Sequence, residues 1–363
     1  MKLVFSILFL LISFYTFPLA IIGGRLPHCL ADDKILGLTS SIAKTICCTA
    51  VTTDPSFQCY PQIWSDKIIW LDSRLGNQDL FLYDLSQGIE KPLTQTPYPG
   101  GFPDIYENKV VYQLWHKGTY DIWLIDLSTG KAQPISEGKD WHEMLAKIWG
   151  DLVVWEDWRS SYGEGQIFLH NLKTEQTQPL SRHPGAQGHP DIFEDKIVWH
   201  DKRNGNWDIY LYDLSKGEER PLTDDHSDQF SPVIHENWVT WVDTRNGNWD
   251  IYLYDLTTST TRCLCQEPSK QWWPQIWGNT VRWVDERTGQ STIYLYNLKT
   301  NQEKPLCLSP PAPQRQPSLY KDKIVWMDLR NGEPTTPGIG NWDIYTTSTL
   351  PLFRITASLS PHY

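Results

Sequence analysis

The chain has 363 residues, with 43 acidic against 32 basic side chains and a formal net charge of −11. That balance argues against nucleic acid and anionic lipid headgroups as partners. No helical periodicity runs through it, while aromatic residues make up 13% and tryptophan alone 19 positions, so a strand-built core is expected.

The N-terminus comes first. Lys2 precedes an uncharged, mostly apolar run from Leu3 to Ile22, and residues 1–22 read as a signal peptide or an uncleaved membrane anchor. Pro18-Leu19-Ala20 is a poor cleavage site because proline stands where a small residue is wanted, and Cys29 lacks the small residue that lipidation needs before it. Either route means export, to the periplasm, the cell surface or the medium. Membrane contact is expected only through such an anchor. Residues 23–60 form a lead-in. Export permits disulfides; the seven cysteines at 29, 47, 48, 59, 263, 265 and 307 leave at least one thiol unpaired within the chain. Cys263 and Cys265 have no second Cys or His pair at zinc spacing nearby.

From residue 61 to 363 one unit recurs. It starts at Pro61, Pro103, Ala146, Pro190, Pro232, Pro274 and Pro317, a period of about 42–44 residues that marks a solenoid or a propeller. A strand ending in an aromatic follows each start (Trp70, Tyr112, Trp155, Trp199, Trp241, Trp283, Trp326). A second runs through Leu80, Ile122, Ile167, Ile209, Ile251, Ile293 and Ile344, and a third closes in endings such as Pro221-Leu-Thr223. With the short strand at each start, the pattern predicts an all-β, seven-bladed β-propeller of four-stranded antiparallel blades.

The most explicit copy, Asp201 to Asp213, returns almost unchanged at Asp243 to Asp255. Asn204-Gly205 predicts a two-residue type I′ turn, which sets Asp201 opposite Asp208 and Trp199 opposite Tyr210. Arg203 falls on the same face, so Asp-Arg-Asp reads as a charge-compensated clamp on the turn. The same clamp is expected from Asp72, Arg74 and Asp79, and from Asp243, Arg245 and Asp250. Aspartates beside Asn-Gly suggest a calcium loop, but arginine stands where a further ligand belongs, so no metal is expected there.

The motif Ile-Val-Trp-x-Asp-x-Arg-Asn-Gly-Asn-Trp-Asp-Ile-Tyr, closing in Pro-Leu-Thr, resembles the propeller repeats of the TolB family over residues 61–356. That family includes the periplasmic TolB protein and many bacterial and archaeal cell-surface proteins. The resemblance implies a propeller that binds other envelope components. TolB has six blades and a separate N-terminal domain, whereas seven units occur here. Two segments compete to close the ring, Ile46-Cys-Cys-Thr49 and Phe353-Arg-Ile-Thr356. The first is favoured because joining both ends of the chain in one blade removes sheet edges.

Departures from the repeat gather on the face that carries the clamp turns and the inter-unit loops. Blade 2 has Leu114 and His116 in place of Asp and Arg, blade 3 lengthens its turn through Ser160 to Gly165, and blade 7 inserts Glu333 to Gly340. Trp141, His142, His183, His189, His226, Asp228, Trp272 and Trp273 make this the candidate ligand-binding face. The four histidines occupy consecutive loops. Oligogalacturonate lyases, seven-bladed relatives of TolB, hold a metal with histidines in a comparable setting, although no motif here matches theirs residue by residue. Trp141, Trp272 and Trp273 do not recur and suit a sugar or a protein hot spot, or else pack beneath a long loop. No Gly-x-Ser-x-Gly, His-Glu-x-x-His or phosphate-binding glycine loop occurs. The expectation is a non-catalytic exported platform without catalytic residues or cofactor, whose partner is an envelope or extracellular protein or a glycan. A metal-assisted polysaccharide lyase is the alternative, and a purely structural surface protein the third reading.

Overall fold

Four strands per unit, each covering one face of its neighbour, close into a ring. The computed structural model describes residues 48–136, 140–159, 164–306, 312–331 and 342–347. The expected signal segment, the lead-in up to residue 47, Cys29, Cys47, Cys307, residues 160–163, the insertion at 333–340 and Phe353–Thr356 lie outside them. Among the described residues the strands form seven four-stranded antiparallel sheets, six of them simple meanders. The innermost strands are Gln58–Trp64, Gly100–Tyr106, Glu143–Trp149, Gln187–Phe193, Gln229–His235, Gln271–Trp277 and Gln314–Tyr320. In the last blade the outer position is filled from the start of the chain. Cys48–Ala50 pairs antiparallel with Asp343–Thr347, Cys48 opposite Thr347 and Ala50 opposite Tyr345.

Apolar residues on both faces of the second and third strands make the core, because every sheet is sandwiched between two others. Trp70, Trp155, Trp199, Trp241, Trp283 and Trp326 have no solvent exposure, and Tyr112 takes that place in blade 2. The aspartate two residues on shares the face. It accepts the indole N–H in five blades: Trp70 to Asp72 at 3.0 Å, Trp199 to Asp201 at 3.1 Å, Trp241 to Asp243 at 3.0 Å, Trp283 to Asp285 at 3.1 Å and Trp326 to Asp328 at 2.9 Å. Burying both the tryptophan and its one polar atom explains why Trp-x-Asp recurs as a unit. Cys59, Cys263 and Cys265 carry thiols without a disulfide, and burial raises all three pKa values, that of Cys263 to about 11.

The hairpin register is the expected one, Asp201 opposite Asp208 and Trp199 opposite Tyr210. The turn is not. Gly205 takes a φ of 103° and donates its N–H to the Lys202 carbonyl at 3.0 Å, while Asn204 stays outside the left-handed region, so this is a type I turn ending on a left-handed glycine. The reason is side-chain capture. Asp201 Oδ1 accepts the Arg203 N–H at 2.9 Å, and Asn204 Nδ2 reaches back to Asp208 Oδ2 at 3.0 Å and the Tyr210 hydroxyl at 3.1 Å.

The clamp is likewise reapportioned. Arg203 pairs with Asp201 and with Glu219 on the outer strand, its guanidinium lying 4.0 Å from the Tyr210 ring centroid. Asp208 is answered by the Asn204 amide and the Thr223 hydroxyl instead of arginine. Blade 5 repeats this through Arg245 on Asp243 and Asn246 on Asp250 at 2.7 Å. In blade 1, where Leu75 replaces the asparagine, Arg74 holds Asp72 and Glu90, and Asp79 accepts from Thr94 Oγ1 at 2.9 Å and the Thr96 N–H at 3.1 Å.

Candidate functional site: a blind central channel

Each innermost strand breaks its ladder at the same place, just before the unit-starting proline. Proline has no N–H for the ladder, and the residue before it bulges out. Tyr60, Phe102, Leu145, His189, Ser231, Trp273 and Gln316 all adopt φ between 42° and 55°. Leu145 does so ahead of Ala146, so the bulge belongs to the blade and not only to the proline. The bulge aims these side chains into the channel mouth. Four of their N–H groups are taken by the preceding blade: Gln113 Oε1 accepts from Leu145 at 3.2 Å, Glu156 Oε2 from His189 at 3.4 Å, His200 Nδ1 from Ser231 at 3.3 Å and Gln316 Oε1 from Tyr60 at 2.7 Å.

Two and four residues beyond the bulge the strand presents further side chains inward. The middle tier is Gln62, Asp104, Lys147, Asp191, Val233, Gln275 and Ser318; of these, Gln62, Lys147, Asp191, Val233 and Gln275 line, with the mouth, a cavity of about 180 Å³. The floor tier is aromatic in every blade but one. Trp64, Tyr106, Trp149, Phe193, His235, Trp277 and Tyr320 form a closed circle, with neighbouring centroids 4.3–4.9 Å apart. Trp64 also meets Trp149 and Trp277 across the ring at 5.6 Å. The lumen is therefore filled at that level, and the channel opens only at the mouth. Since Gln58 pairs with Asp72, the mouth lies on the face of the clamp turns and inter-blade loops.

The polar wall is uneven. Lys147 Nζ lies 3.6 Å from Asp104 Oδ1; its side chain is 29% accessible although protein surrounds it, because the accessible part faces the lumen. Burial works against its charge, but Asp104 and Asp191 outweigh burial and the net pKa shift is upward. Burial raises Asp191 to about 7 despite Lys147, while Asp191 accepts the Ile234 N–H at 2.8 Å. Behind the mouth, burial raises Glu156 to about 7, lowers His189 to about 4 and presses His200 well below its ordinary value. The rings of His189 and His200 lie 5.0 Å apart.

Of the residues predicted for this face, His189 and Trp273 line the cavity. The others do not join them. His142 accepts the Tyr120 N–H at 3.2 Å through Nδ1 and stacks on Trp115 at 5.8 Å, packing between blades 2 and 3. Trp141 lies under the Arg159 guanidinium at 5.1 Å. His183, His226 and Asp228 are exposed, and Asp228 ties blade 4 to blade 5 by accepting the Trp207 N–H at 3.0 Å. Trp272 is buried against Trp249. Among the described residues no group of three His, Cys, Asp or Glu side chains comes together as a metal site. Sequence reasoning missed the middle tier and Glu156, His200 and Arg282. It also missed the floor, although an aromatic or histidine three residues after every unit start was there to be read.

These features define a closed seven-bladed propeller with a one-ended channel. No protein-family model matches the chain, and no curated protein matches its sequence. Solved structures do. An oligogalacturonate lyase from Vibrio parahaemolyticus superimposes with a TM-score of 0.63 at 13% identity, over 84% of this chain and 94% of that one. A prolyl endopeptidase gives 0.62 at 12% identity over 76% of this chain, which spans only 46% of the endopeptidase. TolB from Acinetobacter baumannii gives 0.51 at 18%, over 70% and 66%. At these identities the likeness is one of fold.

Proposed function

We propose that the protein is a non-catalytic binding platform, exported to the cell envelope or surface, which takes a segment of a partner protein into the channel mouth. The observation that carries this reading is the aromatic floor. It turns the channel into a blind pocket whose opening carries Tyr60, Phe102 and Trp273 beside the amide of Gln316 and the hydroxyl of Ser231. Recessed aromatics ringed by hydrogen-bonding groups suit a peptide segment, and a glycan is the second ligand they would accept. The TolB likeness supports the envelope setting.

The lyase reading retains one specific observation, the Glu156–His189–His200 group behind the mouth, where a carboxyl with a pKa of about 7 sits beside imidazoles. The experiment separates the two. Secreted protein and its Trp273→Ala variant are screened against peptide and glycan arrays, and the wild type is assayed on oligogalacturonate for unsaturated products. Ligand capture that Trp273→Ala abolishes, without turnover, supports the platform. Turnover lost in Glu156→Gln overturns it.

A further inference from the structure

Arg282 has no solvent exposure, and none of its three guanidinium nitrogens has a hydrogen-bond partner among the described residues. Arginine cannot shed its charge in a protein, and a buried unpaired guanidinium is strongly destabilising. The fold does not require it: the same position holds Ile69, Val111, Val154, Val198, Thr240 and Val325 in the other blades. Arg282 lies directly across from Gln275 in the ladder and so shares its face, and Gln275 lines the cavity. Its charge is felt by Lys147 across the lumen.

The middle tier is lopsided around it. Both carboxylates, Asp104 and Asp191, come from blades 2 and 4 and flank Lys147 of blade 3. Blades 5, 6 and 7 contribute Val233, Gln275 and Ser318, none of them acidic. The cation of blade 6 therefore has no counter-charge on its own side.

We propose that the blade 5–7 side of the channel is a carboxylate-binding site, with Arg282 as the ion-pair partner and the Gln275 amide as the second donor. A planar guanidinium fits a carboxylate in two parallel hydrogen bonds. The small enclosed volume selects a single carboxylate group, carried either by a free small acid or by the terminus or acidic side chain of a peptide. The assignment is independent of whether the protein is a platform or an enzyme.

The test is thermal unfolding of the full exported chain and of Arg282→Met, titrated with sodium acetate against sodium chloride at equal ionic strength. In parallel, tryptophan fluorescence is followed with a short peptide bearing a free terminal carboxylate and with its amidated form. Acetate is expected to raise the wild-type midpoint saturably by a few degrees, as a ligand of the native state does. Alternatively, only the free-carboxylate peptide gives a saturable signal, which assigns the carboxylate to a partner chain. Either response must vanish in Arg282→Met, whose midpoint without ligand equals or exceeds that of the wild type because the other blades accept an aliphatic residue there. Equal responses of the two proteins, or no response to either carboxylate, overturn the site. Loss of stability in Arg282→Met without any carboxylate dependence in the wild type overturns it as well.

Discussion

Blades 3 and 4 are neighbours cut to one template, yet three of the positions at which they differ change the character of a charged side chain. Blade 4 has Gln187, Asp191 and His200 where blade 3 has Glu143, Lys147 and Glu156. Gln187 donates its amide to Asp201 at 3.0 Å and accepts the Ile167 N–H at 3.1 Å, so the buried aspartate is answered at any pH. Glu143 stands in that place beside Asp157 and can donate only when protonated; burial first, then Asp157, raises it to about 7 against the pull of Ser136. At the next position His200 serves blade 5 as a neutral acceptor, whereas Glu156 serves blade 4 as an acid held near neutrality. The lesson is that the fold leaves this site open: Leu71, Val242, Val284 and Met327 hold it in blades 1, 5, 6 and 7, so neither an acceptor nor a charge is required there. Charge is what blade 3 adds beyond the fold.

Five substitutions test the contrast, in order of expected size. Asp201→Ala removes the shared acceptor of Trp199, Gln187 and Arg203, and is expected to cost about 3–5 kcal/mol in denaturant unfolding. Asp157→Ala should cost less, because it also relieves Glu143; equal losses would break the comparison.

Glu156→Gln comes next. A carboxyl whose folded pKa is raised to about 7 contributes stability that is complete below its unfolded value and is lost as pH rises through 7. The variant should therefore be more stable than the wild type by on the order of 3 kcal/mol near pH 8 and equal to it near pH 4. Gln113 already shows that a glutamine can take the bulge N–H. Unfolding curves across pH decide it, and a pH-independent difference would mean that Glu156 is charged in the fold.

His235 tests the opposite sign. Burial lowers its imidazole to about 4, so its contribution is present above the unfolded value and is lost as pH falls from about 6.5 to 4. His235→Phe, which copies Phe193 in the floor, should flatten that acid limb by about 2–3 kcal/mol. It should also show a constant offset for the Gly278 N–H that loses its acceptor. An unchanged acid limb would assign the limb to another group.

Asn204→Ala is the smallest. It deprives Asp208 and Tyr210 of one donor each, at about 1 kcal/mol in thermal unfolding. Asn77 is not its counterpart in blade 1; Leu75 is, and there the threonines take over. A loss above that of Asp201→Ala would make the asparagine, not the aspartate, the centre of the turn.

The repeat was legible because packing imposes the same residues in six of the seven blades: Trp-x-Asp-x-Arg packs one ring, one carboxylate and one guanidinium together. Register followed from that periodicity. The turn type did not, because Asn-Gly predicts backbone geometry, whereas here Asn204 spends its side chain on Asp208 and leaves only Gly205 left-handed. The channel wall was the least legible part. Its middle tier reads Gln, Asp, Lys, Asp, Val, Gln, Ser around the ring, and a position that the fold leaves unspecified gives no periodic signal. The absence of recurrence at an otherwise recurring offset was the signal. The four loop histidines, alike in their place in the repeat, part in space: His189 reaches the cavity, His142 packs between blades, and His183 and His226 stay exposed in the loops.

The closing strand has a consequence in time. Ala50 finds its partner in Tyr345, so the first of the described strands must wait for the last of them, roughly 15–60 s at typical rates of chain growth. Until then both the nascent segment and the forming last sheet present unpaired backbone edges, the kind that recruit strands from other chains. Six blades can form as they emerge by short-range pairing, but the last step joins the two ends of the propeller, carries the largest sequence separation among the described strand pairs and sets the pace. Newly made protein should therefore pass through an open, aggregation-prone ring whose lifetime depends on protein concentration and holdase supply more than on any single blade.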